Sequence, residues 1–274
     1  MSIKNEYEGF LTSASLWINE TLFDIPIFDI QTISETNIST NYSSINIRED
    51  EVLGKRVEHF FEYFITNSNR YTLLAKNIQV FCNKTTIGEL DFILKDHLND
   101  HILHVELVYK FYLYNPNITN ELERWIGPNC KDTLLQKVHK LKTKQFPLLQ
   151  KEETKSVLEN IQINPDDIQQ RVCYLGNLFV PFFMKNKILP KINNKCIIGF
   201  WITTKMFTSA NYSSYLFYIP KKKDWIIAPK HCTTWFSYDS IIEQVQHSLI
   251  QKKSPLLWIK SNGEHYDRCF IVWW

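Results

Sequence analysis

The stretch Ile87–Tyr112, IGELDFILKDHLNDHILHVELVYKFY, decides how the rest of the chain is read. It spells two apolar runs joined by a polar turn, DHLND. Asp91 sits between Leu90 and Phe92, Glu106 between Val105 and Leu107, and Lys110 between Tyr109 and Phe111. Side chains two apart on a strand share a face. Glu106, Val108 and Lys110 are therefore expected on one side, and Val105, Leu107, Tyr109 and Phe111 on the other. A strand apolar on both faces belongs in the centre of a covered sheet. Carboxylates and an ammonium buried there must be paired or bind a metal.

Metal-assisted phosphodiester cleavage asks for such a set. Carboxylates from adjacent strands offer hard oxygen ligands to Mg²⁺ (or Mn²⁺), which keeps its remaining positions for water and phosphate. A lysine on the same face can stabilise developing charge. The bland alternative is a buried ion-pair network with no chemistry. The layout resembles that of the PD-(D/E)XK nucleases: Gly88-Glu89-Leu90-Asp91 is similar to the Gly-Glu-x-Asp form of their second strand, and Glu106 and Lys110 to their acid and lysine. Three residues separate Glu106 from Lys110, where the superfamily has one. The lysine is thereby carried about 6.6 Å further along the strand.

A narrower resemblance rests on GELDF, ELVYKFYLY, WIGPN and the following helix with Asp132, Lys137 and Gln145. Together these resemble the family known as domain of unknown function 1853, which is placed in the PD-(D/E)XK superfamily by similarity. The resemblance is strong over about residues 53–145 and loose beyond. It implies a fold and a chemistry, with Asp91 and Glu106 as metal ligands, and no substrate.

Composition sets bounds. The chain has 274 residues, enough for one large domain or two small ones. Its net charge of +2 neither announces nor excludes a nucleic-acid partner, for which a local basic patch suffices. The cysteines (Cys82, Cys130, Cys173, Cys196, Cys232, Cys269) form no C-x-x-C pair, which argues against a zinc ribbon. MSIKNEYEGF has no apolar signal region, and no apolar run approaches the ~20 residues that span a bilayer. A cytoplasmic protein without membrane partners is expected.

Outward from the acids, Phe10, Leu11, Ala14, Trp17 and Ile18 have helical spacing, and residues 32–47 read as a polar loop. Residues 51–68 form the clearest helix, with Leu53, Val57, Phe60, Phe61 and Phe64 on one stripe and Glu58 at its edge. The superfamily often supplies a further acid there, so Glu58 is a candidate third ligand; its bland reading is a solvated partner of Lys55 or Arg56. Strands are expected at 71–82, 85–95 and 101–114, as an antiparallel meander. His97, His101 and His104 are read as solvent-facing turn residues rather than a second metal site.

After the Gly127-Pro128 turn, Asn129 is expected to cap a helix ended by Pro147, with Leu134, Val138, Leu141 and Gln145 on its inner stripe. Gln145 is a candidate site residue, and Lys131, Lys137, Lys140, Lys142 and Lys144 are read as its basic side. Residues 150–167 read as a connector. Strands follow at 170–182, 195–203, 213–220, 224–228 and 267–273, with a helix at 238–252. The aromatics of this half are read mainly as core, and the lysines of 221–230 as a possible substrate contact.

The expected architecture is α/β: a restriction-endonuclease-like core of helix, acid-bearing antiparallel meander and helix, with a mixed C-terminal extension. The expected divisions are a packing segment at 1–50, the core at 51–150, and the extension at 151–274, separate or part of the same domain. The expected function is metal-dependent hydrolysis of DNA, with catalytic residues Asp91, Glu106, Lys110, Glu58 and Gln145, and with Asp91, Glu106 and Glu58 on the metal. The alternatives are a nuclease-like module that binds nucleic acid or a protein without cutting, and a structural subunit with an aromatic interface. Oligomeric state is not legible.

Overall fold

Asp96 closes the predicted DHLND turn as its sequence suggests. Its carboxylate accepts from the Leu98 N–H at 3.0 Å, the Asn99 amide at 3.0 Å and the Arg70 guanidinium at 2.8 Å. That turn joins β2 (Thr85–Asp96) to β3 (His101–Tyr114), and β1 (Tyr71–Cys82) precedes them in the expected meander. These relations come from a computed structural model that describes residues 2–18, 22–33, 42–261 and 263–274. Part of the loop expected at 32–47, residues 34–41, lies outside the described residues.

The meander opens a larger mixed sheet. Its other strands are β4 (Trp125–Ile126), β5 (Ile168–Pro181), β6 (Ile197–Thr203), β7 (Leu216–Tyr218), β8 (Leu256–Lys260) and β9 (Tyr266–Val272). The spatial order is β1-β2-β3-β5-β6-β9-β8-β7, with β4 beside β3. Pairing is antiparallel at both flanks and parallel in the middle, where β3, β5, β6 and β9 run together. The C-terminal half therefore extends the sheet, and β5 lies along β3 from Ile102↔Ile168 to Leu113↔Phe179.

Alternation along β3 sorts the layers. Val105 and Phe111 face the cluster built with α1 (Ile3–Leu11) and α2 (Leu53–Thr66). Val108, Tyr112 and Tyr114 face the opposite cluster, with Leu134, Val138 and Leu141. Those three belong to α3 (Leu134–Lys140) and the π-turn that continues it, Leu141–Gln145. The short α4 (Phe146–Leu148) and α5 (Glu152–Glu159) follow, and α6 (Ser209–Tyr212) and α7 (Tyr238–Ile250) lie in the second half.

Several expectations are corrected. The N-terminal helix lies upstream of its predicted place: Ser2 caps it, and the Thr12 and Ser13 hydroxyls turn back to Glu8 and Gly9 carbonyls and end it. Residues 14–16 then run extended along β5, with Leu16 N donating to Tyr174 O. Asn129 does not cap α3. Thr133 does, in a capping box with Gln136, and Asn129 instead accepts from Ser254 N. Pro147 does not end the helix, because the preceding π-turn passes the Phe146 N–H to Leu141 O and makes room for the proline ring. The connector holds α5. Residues 224–228 are not a strand: Asp224 and Ile227 form turns with Lys221 and Asp224, and buried Ile226 and Ile227 pack into the core beside Trp225. Strand β8 was not foreseen. All six cysteines are free, and among the described residues no helix is long and apolar enough to cross a membrane.

Candidate functional site

The backbone pairing of β2 with β3 runs from Asp96↔His101 only as far as Phe92↔Val105. The next residue of β2 is Asp91, and there the strands part. The side-chain alternation also breaks here, since Leu90 and Ile93 join the cluster under α4 and α5 while Phe92 and Leu94 face α2. Leu107 N, which would have continued the ladder, donates to Asp91 Oδ2 at 2.9 Å. The splay thus brings the Asp91 carboxylate onto β3 beside Glu106.

Glu106 is wholly buried and held at both oxygens. Oε1 lies 3.1 Å from His104 Nε2, and Oε2 accepts from Gln145 Nε2. Lys137 Nζ in turn donates to Gln145 Oε1 at 2.9 Å. His104 is also fully buried, on β3 and two residues from Glu106, rather than in the solvent-facing turn where the sequence reading put it. Gln170 Nε2 donates to Phe146 O at 3.0 Å and approaches His104 Nδ1 at 3.1 Å. An amide nitrogen has only protons to offer, so Nδ1 accepts and the His104 proton sits on Nε2, aimed at Glu106. His97 and His101 are exposed.

Electrostatics follow from this crowding. Burial pushes the Asp91 carboxyl up to about 7; the Glu106 carboxylate adds to the rise, the Leu107 N–H opposes it, and Glu58 contributes a smaller push. Burial lowers the Lys137 ammonium, while Glu106 and Asp91 work to keep it charged. Glu58 accepts from Lys55 Nζ at 2.7 Å and from Asn77 Nδ2 at 3.4 Å, so it stands at the rim. Among the described residues no three His, Cys, Asp or Glu side chains converge as a metal-holding group.

The structure brings Asp91, Glu106 and Gln145 together, with Glu58 within electrostatic reach of Asp91. Lys110 is placed apart from the acids, its Nζ 2.7 Å from Asp132 Oδ2, because the wider spacing carries it past them along β3. Lys137 holds the position next to the acids. A signal for it was present: it lies three residues after Leu134 and four before Leu141, on the inner stripe of α3 rather than its basic side. The exposed neighbours Lys131, Lys140, Lys142 and Lys144 do form a solvated face.

Lys110 instead lines a cavity of about 790 Å³ between the start of α2 and the lysine run 221–223. Trp225 and Phe111 give it an apolar wall, Lys222 lies over the Trp225 ring at 5.9 Å, and Lys223 pairs with Glu49 at 3.0 Å. Trp201, Trp225 and Trp258 are buried, in keeping with the core reading of the aromatics.

No curated protein and no solved structure matches the chain. A family model, described as a domain of unknown function, matches residues 29–272, which include every strand of the sheet and both acids. On that match, the chain belongs to the family of the domain of unknown function DUF1853.

Proposed function

We propose that the chain is a metal-dependent nuclease of the PD-(D/E)XK type that hydrolyses phosphodiester bonds in DNA. One observation carries this reading: β2 and β3 part at Asp91, and Asp91, Glu106, Lys137 and Gln145 meet in the opening. The order of α2, the meander, α3 and a fourth strand parallel to β3 supports the restriction-endonuclease-like core.

The donor chemistry fits Mg²⁺ or Mn²⁺. Asp91 and Glu106 are hard oxygen donors, and burial together with the neighbouring Glu106 charge raises the Asp91 carboxyl, which a bound cation would offset. Asp91 and Glu106 would hold the ion, with Glu58 at the rim as a further acid. Bound there, the ion supplies an activated water and offsets phosphate charge. Lys137 stands where a cation can meet a phosphate oxygen, and Gln145 fixes both Lys137 and Glu106. The lysine-lined cavity beyond Lys110 gives a nucleic-acid backbone a place to lie.

A nuclease-like module that binds without cutting is the second reading. Its support is that both Glu106 oxygens are already hydrogen-bonded.

Calorimetric titration of Mg²⁺ and Mn²⁺ into the protein, Asp91→Ala and Glu106→Ala, paired with cleavage of plasmid and single-stranded DNA, separates the readings. Binding and cleavage lost together in both variants support the nuclease. Metal binding without cleavage keeps the metal site and points to another substrate or to a non-cutting role. No binding by the wild type, with both variants merely destabilised, leaves a structural ion-pair network and ends the enzyme reading.

A further inference from the structure

The segment after Asn129 concentrates positive charge on one element. Residues 131–145 hold five lysines against one acid, Asp132, in a chain whose net charge is only +2. Asp132 is spent on Lys110, at 2.7 Å. Lys137 turns inward to Gln145, whereas Lys131, Lys140, Lys142 and Lys144 are exposed. Among the described residues none of these four has an acid within ion-pair distance.

This face lies directly beside the acids. Gln145 bonds to Glu106, and Lys137 feels both acids together with the charges of Lys140 and Lys110. At one end Lys131 lines the cavity beyond Lys110, and at the other Lys142 lines an open hollow with Arg171, Phe146 and Asp24. From Leu134 to Leu148 the helical run is roughly 20 Å long at 1.5 Å per residue. One strand of duplex DNA carries a phosphate about every 3.4 Å along its axis, so about six fall within that length. The exposed side chains between the lysines are Gln136, His139 and Thr143, not the Phe, Tyr or Trp rings on which the bases of a single strand stack. A convex, cationic helix face suits the phosphates of a duplex instead.

We propose that the outer face of α3 and its π-turn is a phosphate rail for double-stranded DNA, with one backbone lying across Lys140, Lys142 and Lys144 beside the Asp91–Glu106 opening. The proposal rests on the nucleic-acid reading of that site and names its substrate class. Binding through phosphates requires neither the metal nor cleavage.

The test is fluorescence anisotropy of the full chain with a labelled blunt duplex and with its single strand, in chelator, from about 50 to 200 mM salt. The duplex should bind more tightly, and log K should fall linearly with log salt, by about 0.9 for each phosphate neutralised. The triple variant Lys140→Gln, Lys142→Gln, Lys144→Gln changes exposed positions only, so it should fold, and its slope should be shallower by about 2–3. Lys4→Gln, Lys205→Gln, Lys230→Gln makes the same change of charge at exposed positions elsewhere and should leave the slope as it is. No duplex binding, single-strand binding as tight as duplex binding, an unchanged slope in the first variant, or an equal loss of slope in the second would each overturn the proposal. Cleavage assays in Mg²⁺ keep the two readings apart. Cleavage with an unchanged slope would leave the nuclease without this rail, and a slope lost in the first variant without cleavage by the wild type would leave the rail without the nuclease.

Discussion

The Leu107 N–H donates to the Asp91 carboxylate across 2.9 Å, just past the last backbone pair of β2 and β3. A side chain has taken over the work of a strand backbone. The bond fixes Asp91 against β3, at the cost of holding a carboxylate in a buried place near Glu106. Its pKa stands at about 7 in the folded chain, against about 3.9 in an unfolded one. The folded state therefore holds the proton more tightly, and its stabilising contribution is complete below about pH 4 and lost as pH rises through about 7. Asp91→Asn stays neutral and can still accept from Leu107. In chelator, it should match the wild type near pH 4 and exceed it in urea midpoint near pH 8. Parallel midpoint curves for the two proteins would count against the raised carboxyl.

Lys137 and Lys110 separate two accounts of the site. Lys137 is tied to Gln145 and lies near both acids, whereas Lys110 pairs with Asp132 in a half-exposed bridge. If the site cleaves DNA, Lys137→Ala should lower the single-turnover rate by about 10²–10³, the usual loss on removing a charge-stabilising donor. Lys110→Ala should cost stability by no more than ~1 kcal/mol and leave that rate within a few-fold. The opposite ranking would restore Lys110 to the role its sequence position suggests.

Much of this was legible because strand periodicity is local. The alternation around Glu106, and the placement of Asp91 on the neighbouring strand, follow from spacing of two. What failed depended on contacts distant in sequence. His104 looked like a turn residue because its partner Gln170 lies on β5, 66 residues on. By charge alone Lys137 is one of five helix lysines; its place on the inner stripe, facing contacts from β3, sets it apart from the four exposed ones. The stretch 224–228 is apolar enough for a strand, yet Asp224 bonds back to Lys221 and turns it under the core. The π-turn before Pro147 has no spacing rule that would announce it.

His104 tests whether the hydrogen-bond chain matters. Its Nε2–H is the donor to Glu106 Oε1, and Gln170 keeps that proton there. His104→Ala leaves a buried carboxylate oxygen unpaired and should cost about 3 kcal/mol. Gln170→Leu removes the contact to His104 Nδ1 together with the bond to Phe146 O, leaves the His104–Glu106 bond in place, and should cost about 1–3 kcal/mol. If Glu106 binds a divalent ion, Gln170→Leu should also weaken that binding about 10–100-fold, as loss of an orienting partner does. Calorimetry with Mn²⁺ on the folded variant reads this directly. Unchanged affinity would make the chain structural only.

Glu6 and Arg56 offer a check on the fold that is independent of any chemistry. They lie 50 residues apart, on α1 and α2, and meet in a two-pronged pair at 2.6 and 2.7 Å, with both side chains almost wholly buried. Arg56 also donates to Arg48 O at 2.9 Å. Burying two charges is costly, so the pair adds less to stability than its geometry suggests, but breaking it strands one charge in the core. Glu6→Ala or Arg56→Ala should therefore each cost about 3–5 kcal/mol by urea unfolding, while the apolar double replacement Glu6→Leu with Arg56→Met should cost much less than their sum. Additive losses would mean the two groups do not act as a pair, and the docking of α1 on α2 would then be carried by aromatic contacts such as those of Tyr7 with Phe60 and Tyr63 and of Phe10 with Phe60 and Phe64.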